Sequence, residues 1–191
     1  GRMRVLGIEG TAWAASAALY DDAEESVFIE SDPYLPDSGG LHPREAAEHM
    51  GEAIPEVVQE VLSHAADTAS EDADTASEDA DTASEDADTD TNPYGIDAVA
   101  FSRGPGLGPC LRTVGTAARA AAQRLGVPLV GVNHMVAHLE IGRHQSGFES
   151  PVCLNASGAN AHLLGFHNGR YRVLGETMDT GVGNALDKFT R

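Results

Sequence analysis

His134 and His138 stand four residues apart in "NHMVAHLE", with Glu140 two positions behind the second. Residues at i and i+4 share one face of a helix, their Cβ atoms roughly 5–6 Å apart. Two imidazoles so placed can hold one metal ion. The same spacing also fits ordinary surface or capping histidines, so the pair by itself leaves both readings open. A zinc protease needs a glutamate directly after the first histidine as general base. Met135 stands there and takes no proton, which excludes that chemistry.

Other stretches carry backbone rather than side-chain chemistry. "GIEGTA" ends an apolar run in a glycine turn, with Glu9 and Thr11 as polar contacts; it is either an amide cradle for phosphate or a plain turn. "RGPGLGPC" places Gly104, Gly106 and Gly108 at alternate positions. This is not the dinucleotide fingerprint, whose second gap is longer. Close approach of a ligand and simple turn chemistry both account for it. "NASGA", Asn155 to Ala159, combines bare backbone with the Ser157 hydroxyl. Arg103, Arg112 and Arg119 form either a ridge for phosphates or partners for nearby acids. Asp187 and Asp179 are carboxylates free to bind a ligand or water. No residue stands out as a general base. Cys110 and Cys153 are too few for a disulfide framework or metal knuckle and read as small buried residues.

The elements that must position these residues follow from hydrophobic period. "MRVLGIEG", "AASAALYD" and "ESVFIESD" read as three short strands. "HPREAAEHMGEAIPEVVQEVLSHA" has helical spacing, with Pro43 at its start and Pro55 marking a kink or a break between two helices. "IDAVAFS" is a buried strand, "PCLRTVGTAARAAAQRLG" a helix closed by Gly126, and "VPLVGVN" a strand. "HMVAHLEIGRH" is a helix with Asn133 as cap. Near Pro151 the pattern restarts with a strand, a hairpin turned at "HNG", and a helix opening at "VGNALDKFTR". The layout is an α/β unit over 3–150, followed by the beginning of a second over 151–191.

Composition bounds the rest. Gly1 and Arg2, ahead of Met3, are set aside as an added leader. Thirty acidic residues face twelve basic ones, a net charge of −18, and Lys188 is the only lysine. Such a surface repels nucleic acid in dilute buffer. Near 1 M salt the Debye length falls to about 3 Å and that repulsion fades, so the charge reports on a salt-loaded cytoplasm. "DTASEDA" repeats three times from Asp67 to Ala87, and eleven of the thirty acids lie in 67–90. Alanine alone cannot build a coiled-coil seam, so about 66–92 reads as a disordered, solvated insert. There is no run of eighteen apolar residues for a membrane span and no positively charged start followed by an apolar stretch, so no signal peptide is expected; a cytoplasmic protein is expected.

Six stretches in order, "GIEGTA", "SGGLHPREAAEHM", "SRGPGLGPCLRTVG", "NHMVAHLE", "SGAN" and "GETMDTGVGNALDKF", resemble the universal tRNA threonylcarbamoyladenosine synthesis (TsaD) family, in its archaeal form. The resemblance covers nearly all of the chain except the acidic insert, and the family continues past residue 191. It implies an actin-like, sugar-kinase-like (ASKHA) α/β fold. It also implies threonylcarbamoyl transfer from threonylcarbamoyl-AMP to the adenosine at position 37, beside the anticodon, in tRNAs reading ANN codons. By the same resemblance, the chain is part of the catalytic subunit of KEOPS, and His134 and His138 bind one iron or zinc ion per subunit. Asn155, Ala156, Ser157, Gly158 and Ala159 match the stretch that binds the adenylate, and Asp187 the carboxylate on the nucleotide moiety. Two departures stand out: the family usually has tyrosine, a metal ligand, at Asn155, and SGGNT where this chain reads SGANA. Implied partners are tRNA, a small dimeric subunit packing on residues 42–64, and a kinase-like subunit. Two alternatives stay open: an ATP phosphotransferase of the same fold, and a docking module that catalyses nothing alone.

Overall fold

The computed structural model describes residues 1–76, 92–156 and 160–190. The chain forms two compact units, Gly1–Asn133 and His134–Arg191.

In the first unit, β1 (Arg4–Glu9), β2 (Ala14–Asp21) and β3 (Ser26–Pro33) form an antiparallel meander. β4 (Ala98–Gly104) and β5 (Leu129–Asn133) add parallel to β1, giving the order β3-β2-β1-β4-β5. The parallel crossovers carry α1 (Pro43–Ala76) and α2 (Gly108–Leu125). Alternation with period two sends Leu6, Ile8, Ala15, Ala17 and Leu19 to one face. There they share a core with Met50, Ile54, Val57 and Val61 of α1 and Cys110, Val114 and Ala118 of α2. α2 ends as its sequence predicts: Gly126 turns left-handed at φ 67°, and Val127 N–H reaches back to Ala122 O at 3.0 Å, satisfying a terminal carbonyl.

Two expectations need correction. α1 is one helix through Pro55, so the proline does not break it into two; Pro55 lies on the exposed side of the helix. Asp67–Ala76, read as disordered, continue α1; the remainder of the acidic repeat, residues 77–91, lies outside the described residues. A long-range contact holds the start of the extension. Buried Arg4 donates to Ala65 O at 3.0 Å, Thr68 Oγ1 at 2.6 Å and Tyr94 O at 2.8 Å. Both flanks of the insert are therefore pinned to one guanidinium. The helix that follows β5 packs on the next strand, as described below, so the compact units meet after Asn133.

Arg2, set aside as a leader, is used by the fold. It donates to Asp21 through Nε at 2.8 Å and also through Nη2. That bond holds the Asp21 carboxyl below the ordinary aspartate range, against the opposing effect of burial. A folded pKa below the unfolded value of about 3.9 contributes stability at higher pH and loses it as pH falls through the folded pKa. Asp21→Asn is therefore expected to cost about 1.5–3 kcal/mol at pH 7. Denaturant unfolding across pH should show this gap closing progressively below about pH 4.

The second unit holds α3 (His134–Ser146), an antiparallel sheet of β6 (Val152–Ala156), β7 (Ala161–His167) and β8 (Arg170–Glu176) in that order, and α4 (Val182–Phe189). Asn168 and Gly169 both take positive φ, 50° and 74°, the two-residue hairpin turn whose twist matches the flanking strands. After α3, the second unit continues, as the first begins, with three antiparallel strands.

Candidate functional site

α3 starts directly after Asn133, where β5 ends. One turn apart on its surface, His134 and His138 bring their Nε2 atoms to 3.1 Å, with the rings edge to face at 4.5 Å between centroids. Two nitrogens on one tetrahedral ion at 2.0–2.1 Å would stand roughly 3.3 Å apart. The pair therefore fits a shared ion without rearrangement. A single proton between two neutral rings would satisfy the same geometry.

Leu139 is the buried residue of α3. At 100° per residue, His138 lies to one side of it and Glu140 to the other. Glu140 faces away from the histidines. It accepts a forked pair from Arg143, at 3.0 and 2.9 Å, and the Tyr171 hydroxyl at 2.7 Å. Arg143 lies 4.5 Å above the Phe166 ring, which also packs on Tyr171 at 4.8 Å. The Arg143 bond lowers the Glu140 carboxyl, while burial and then the Glu140 carboxylate push the Tyr171 phenol up to about 12. The carboxylate behind the histidine pair is consumed by structure.

Asn155 sits on β6 against α3, its amide donating to Met135 Sδ at 3.3 Å. Ala156 is the last residue of that strand. Ser157, Gly158 and Ala159 lie outside the described residues. Across the same strand ends, Leu154, Ala161, Leu163, Gly175, Glu176 and Thr177 line an open hollow of about 200 Å³. Asp187 and Asp179 are exposed, Asp187 on α4. Among the described residues, no group of three or more His, Cys, Asp or Glu gathers into a metal site. The structure brings together the histidine pair and Asn155 on neighbouring elements and does not add Asp187 to them.

The two glycine loops are explained by packing in the first unit. Leu107 N–H donates to Thr11 O at 2.9 Å, so "GIEGTA" and "RGPGLG" lie on each other. A Cβ on Gly106 would meet Thr11 Cβ at 2.6 Å and Thr11 O at 2.8 Å, and one on Gly10 would meet Val114 at 2.7 Å. Gly106→Ala should cost about 1–3 kcal/mol by overpacking. Gly108→Ala, whose Cβ meets nothing nearer than Arg112 at 3.8 Å, should stay within about 0.5 kcal/mol. Urea unfolding of both variants checks this.

Arg103, Arg112 and Arg119 are exposed, and among the described residues none joins an ion pair. Arg112 and Arg119, two turns apart, share the outer face of a helix that contains no acidic residue. Sequence reasoning missed Arg143, Phe166 and Tyr171. The Glu140–Arg143 spacing was a usable signal; Tyr171, 31 residues away, gave none.

Comparison with known proteins now adds what geometry does not. At the level of fold, YeaZ from Pseudomonas aeruginosa superposes with TM-score 0.53 over 92% of this chain and 66% of its own, at 15% identity, and the fold class is the actin-like, sugar-kinase-like α/β fold. The probable bifunctional tRNA threonylcarbamoyladenosine biosynthesis protein of Haloquadratum walsbyi is 67% identical over 99% of this chain and 32% of its own. That of Halobacterium salinarum is 70% identical over 99% and 31%. The tRNA N6-adenosine threonylcarbamoyltransferase of Methanocella arvoryzae is 50% identical over 98% and 49%. The chain spans about a third of the length of the first two. A family model described as TsaD, tRNA N6-adenosine threonylcarbamoyltransferase, matches residues 80–191, and this chain belongs to that family.

Proposed function

We propose that the protein carrying this chain is a tRNA N6-adenosine threonylcarbamoyltransferase. It moves threonylcarbamoyl from threonylcarbamoyl-AMP to N6 of the adenosine beside the anticodon in ANN-decoding tRNAs, as the catalytic subunit of KEOPS in the cytoplasm. The observation that supports it most is the 3.1 Å convergence of the His134 and His138 nitrogens in a chain of this family. In the reaction the adenosine amine attacks the carbamoyl carbon, the bond to AMP breaks, and the amine proton passes to the departing phosphate or to water. The acyl group is already activated, which fits a chain with no evident general base.

His134 and His138 would hold one iron or zinc ion through Nε2; its chemistry there is Lewis acidity toward the threonylcarbamoyl oxygens. Two imidazoles are half of a site, and Asn155, held by Met135, replaces the tyrosine that the family resemblance implies as a ligand. The Asn155–Ala159 stretch would seat the adenylate, with Asp187 on its ribose hydroxyls, so that the amine meets the carbamoyl carbon in line. The acid-free outer face of α2 suits phosphate contacts once salt screens the acidic remainder. Residues 42–64 present the exposed side of α1, where the small dimeric subunit would pack, and the kinase-like subunit completes the assembly. Among the described residues no helix is long and apolar enough to cross a membrane.

The test incubates this chain, and a chain of its relatives' length, with threonylcarbamoyl-AMP and an ANN-decoding tRNA, and reads the modified nucleoside by mass spectrometry. Modification by the longer chain alone would leave these residues as a docking and ligand-holding part. Phosphorylation of a small alcohol from ATP with no modified adenosine would favour the phosphotransferase reading, to which an imidazole pair is poorly suited beside magnesium's preference for carboxylates.

A further inference from the structure

The proposed ion needs its two imidazoles held at one angle to the sheet. Leu139 alone would let the helix roll, because an apolar contact is not directional. Two polar attachments oppose that roll. At the start of α3, Met135 Sδ takes the Asn155 amide of β6. On the far side, Glu140 takes the Tyr171 hydroxyl of β8, and Arg143, forked to Glu140, lies over Phe166 of β7. We propose that Tyr171, Glu140 and Arg143 form a clamp of positioning residues that sets the rotation of α3, and so the separation and aim of His134 and His138. The proposal rests on the histidine pair as ligands; none of the three clamp residues touches the ion. Tyr171→Phe is the informative change, because it removes one hydroxyl and keeps the ring packed against Phe166.

The probe is Zn2+ titrated into the 191-residue chain and followed by the ring-proton NMR signals of His134 and His138. Tyr171→Phe and Glu140→Gln should each weaken Zn2+ binding by about threefold to tenfold, below the 10–100-fold typical of a partner bonded directly to a ligand. Amide exchange in 139–146 should quicken while the circular dichroism spectrum stays unchanged. A purely structural role would quicken exchange and leave Zn2+ affinity alone; that result overturns the clamp and keeps the histidine pair. Loss in Glu140→Gln as complete as in His134→Ala would make Glu140 a ligand and overturn it too. Undiminished Zn2+ binding by His134→Ala would remove the histidine reading itself, and the clamp with it.

Discussion

Raising KCl from 0.1 M to 2 M is expected to lift the melting temperature of this chain by about 10 °C. The cause is local as well as global. On α1, Glu45, Glu48, Glu52, Glu56 and Glu60 are all exposed and follow one another at intervals of three or four. Like charges at that spacing cost about 0.2–0.5 kcal/mol per pair, so the helix alone carries roughly 1–2 kcal/mol of repulsion. At about 2–4 °C per kcal/mol for a chain of this size, α1 accounts for several degrees. The rest of the −18 charge adds to it, because exposed repulsion is removed as the Debye length contracts to about 3 Å near 1 M. The Arg4 and Asp21 contacts are buried and change little with salt. Thermal melts followed by circular dichroism check the effect; equal or greater stability in dilute buffer would contradict it.

How much of this was legible beforehand differs by the range of the cause. The β2 and β6–β8 strands and the Gly126 stop follow from two-residue alternation and from one residue able to turn left-handed, both local. The Asn168–Gly169 hairpin is local too. The far end of α1 was not legible: Ala, Ser, Thr and acids beyond Asp67 have no apolar stripe, and what orders their start is Arg4, 61 residues from Ala65. The attachments of α3 were not legible for a similar reason. α3 continues the rhythm of the preceding elements, yet Met135, Arg143 and Glu140 meet Asn155, Phe166 and Tyr171, all later in the chain. At the site, the histidine spacing was readable as metal-compatible, while the orientation of Glu140 was not. The glycine loops read either as sites for an approaching ligand or as plain turns, and the structure shows them packed on each other.

The site account rests on His134 and His138 as ligands. Two imidazoles are two of the four or more donors such an ion needs, so each remaining position falls to water unless further protein ligands arrive. The 191-residue chain should therefore lose its ion on gel filtration against a chelator, while a chain of its relatives' length should keep about one ion per subunit. The decisive measurement is elemental analysis of that longer chain as wild type and as the His134→Ala, His138→Ala double variant, purified alike. Removing both imidazoles is predicted to drop iron plus zinc from about one per chain to below about a tenth, without loss of the folded spectrum. Stoichiometric metal in the double variant would contradict the account and place the site on other residues.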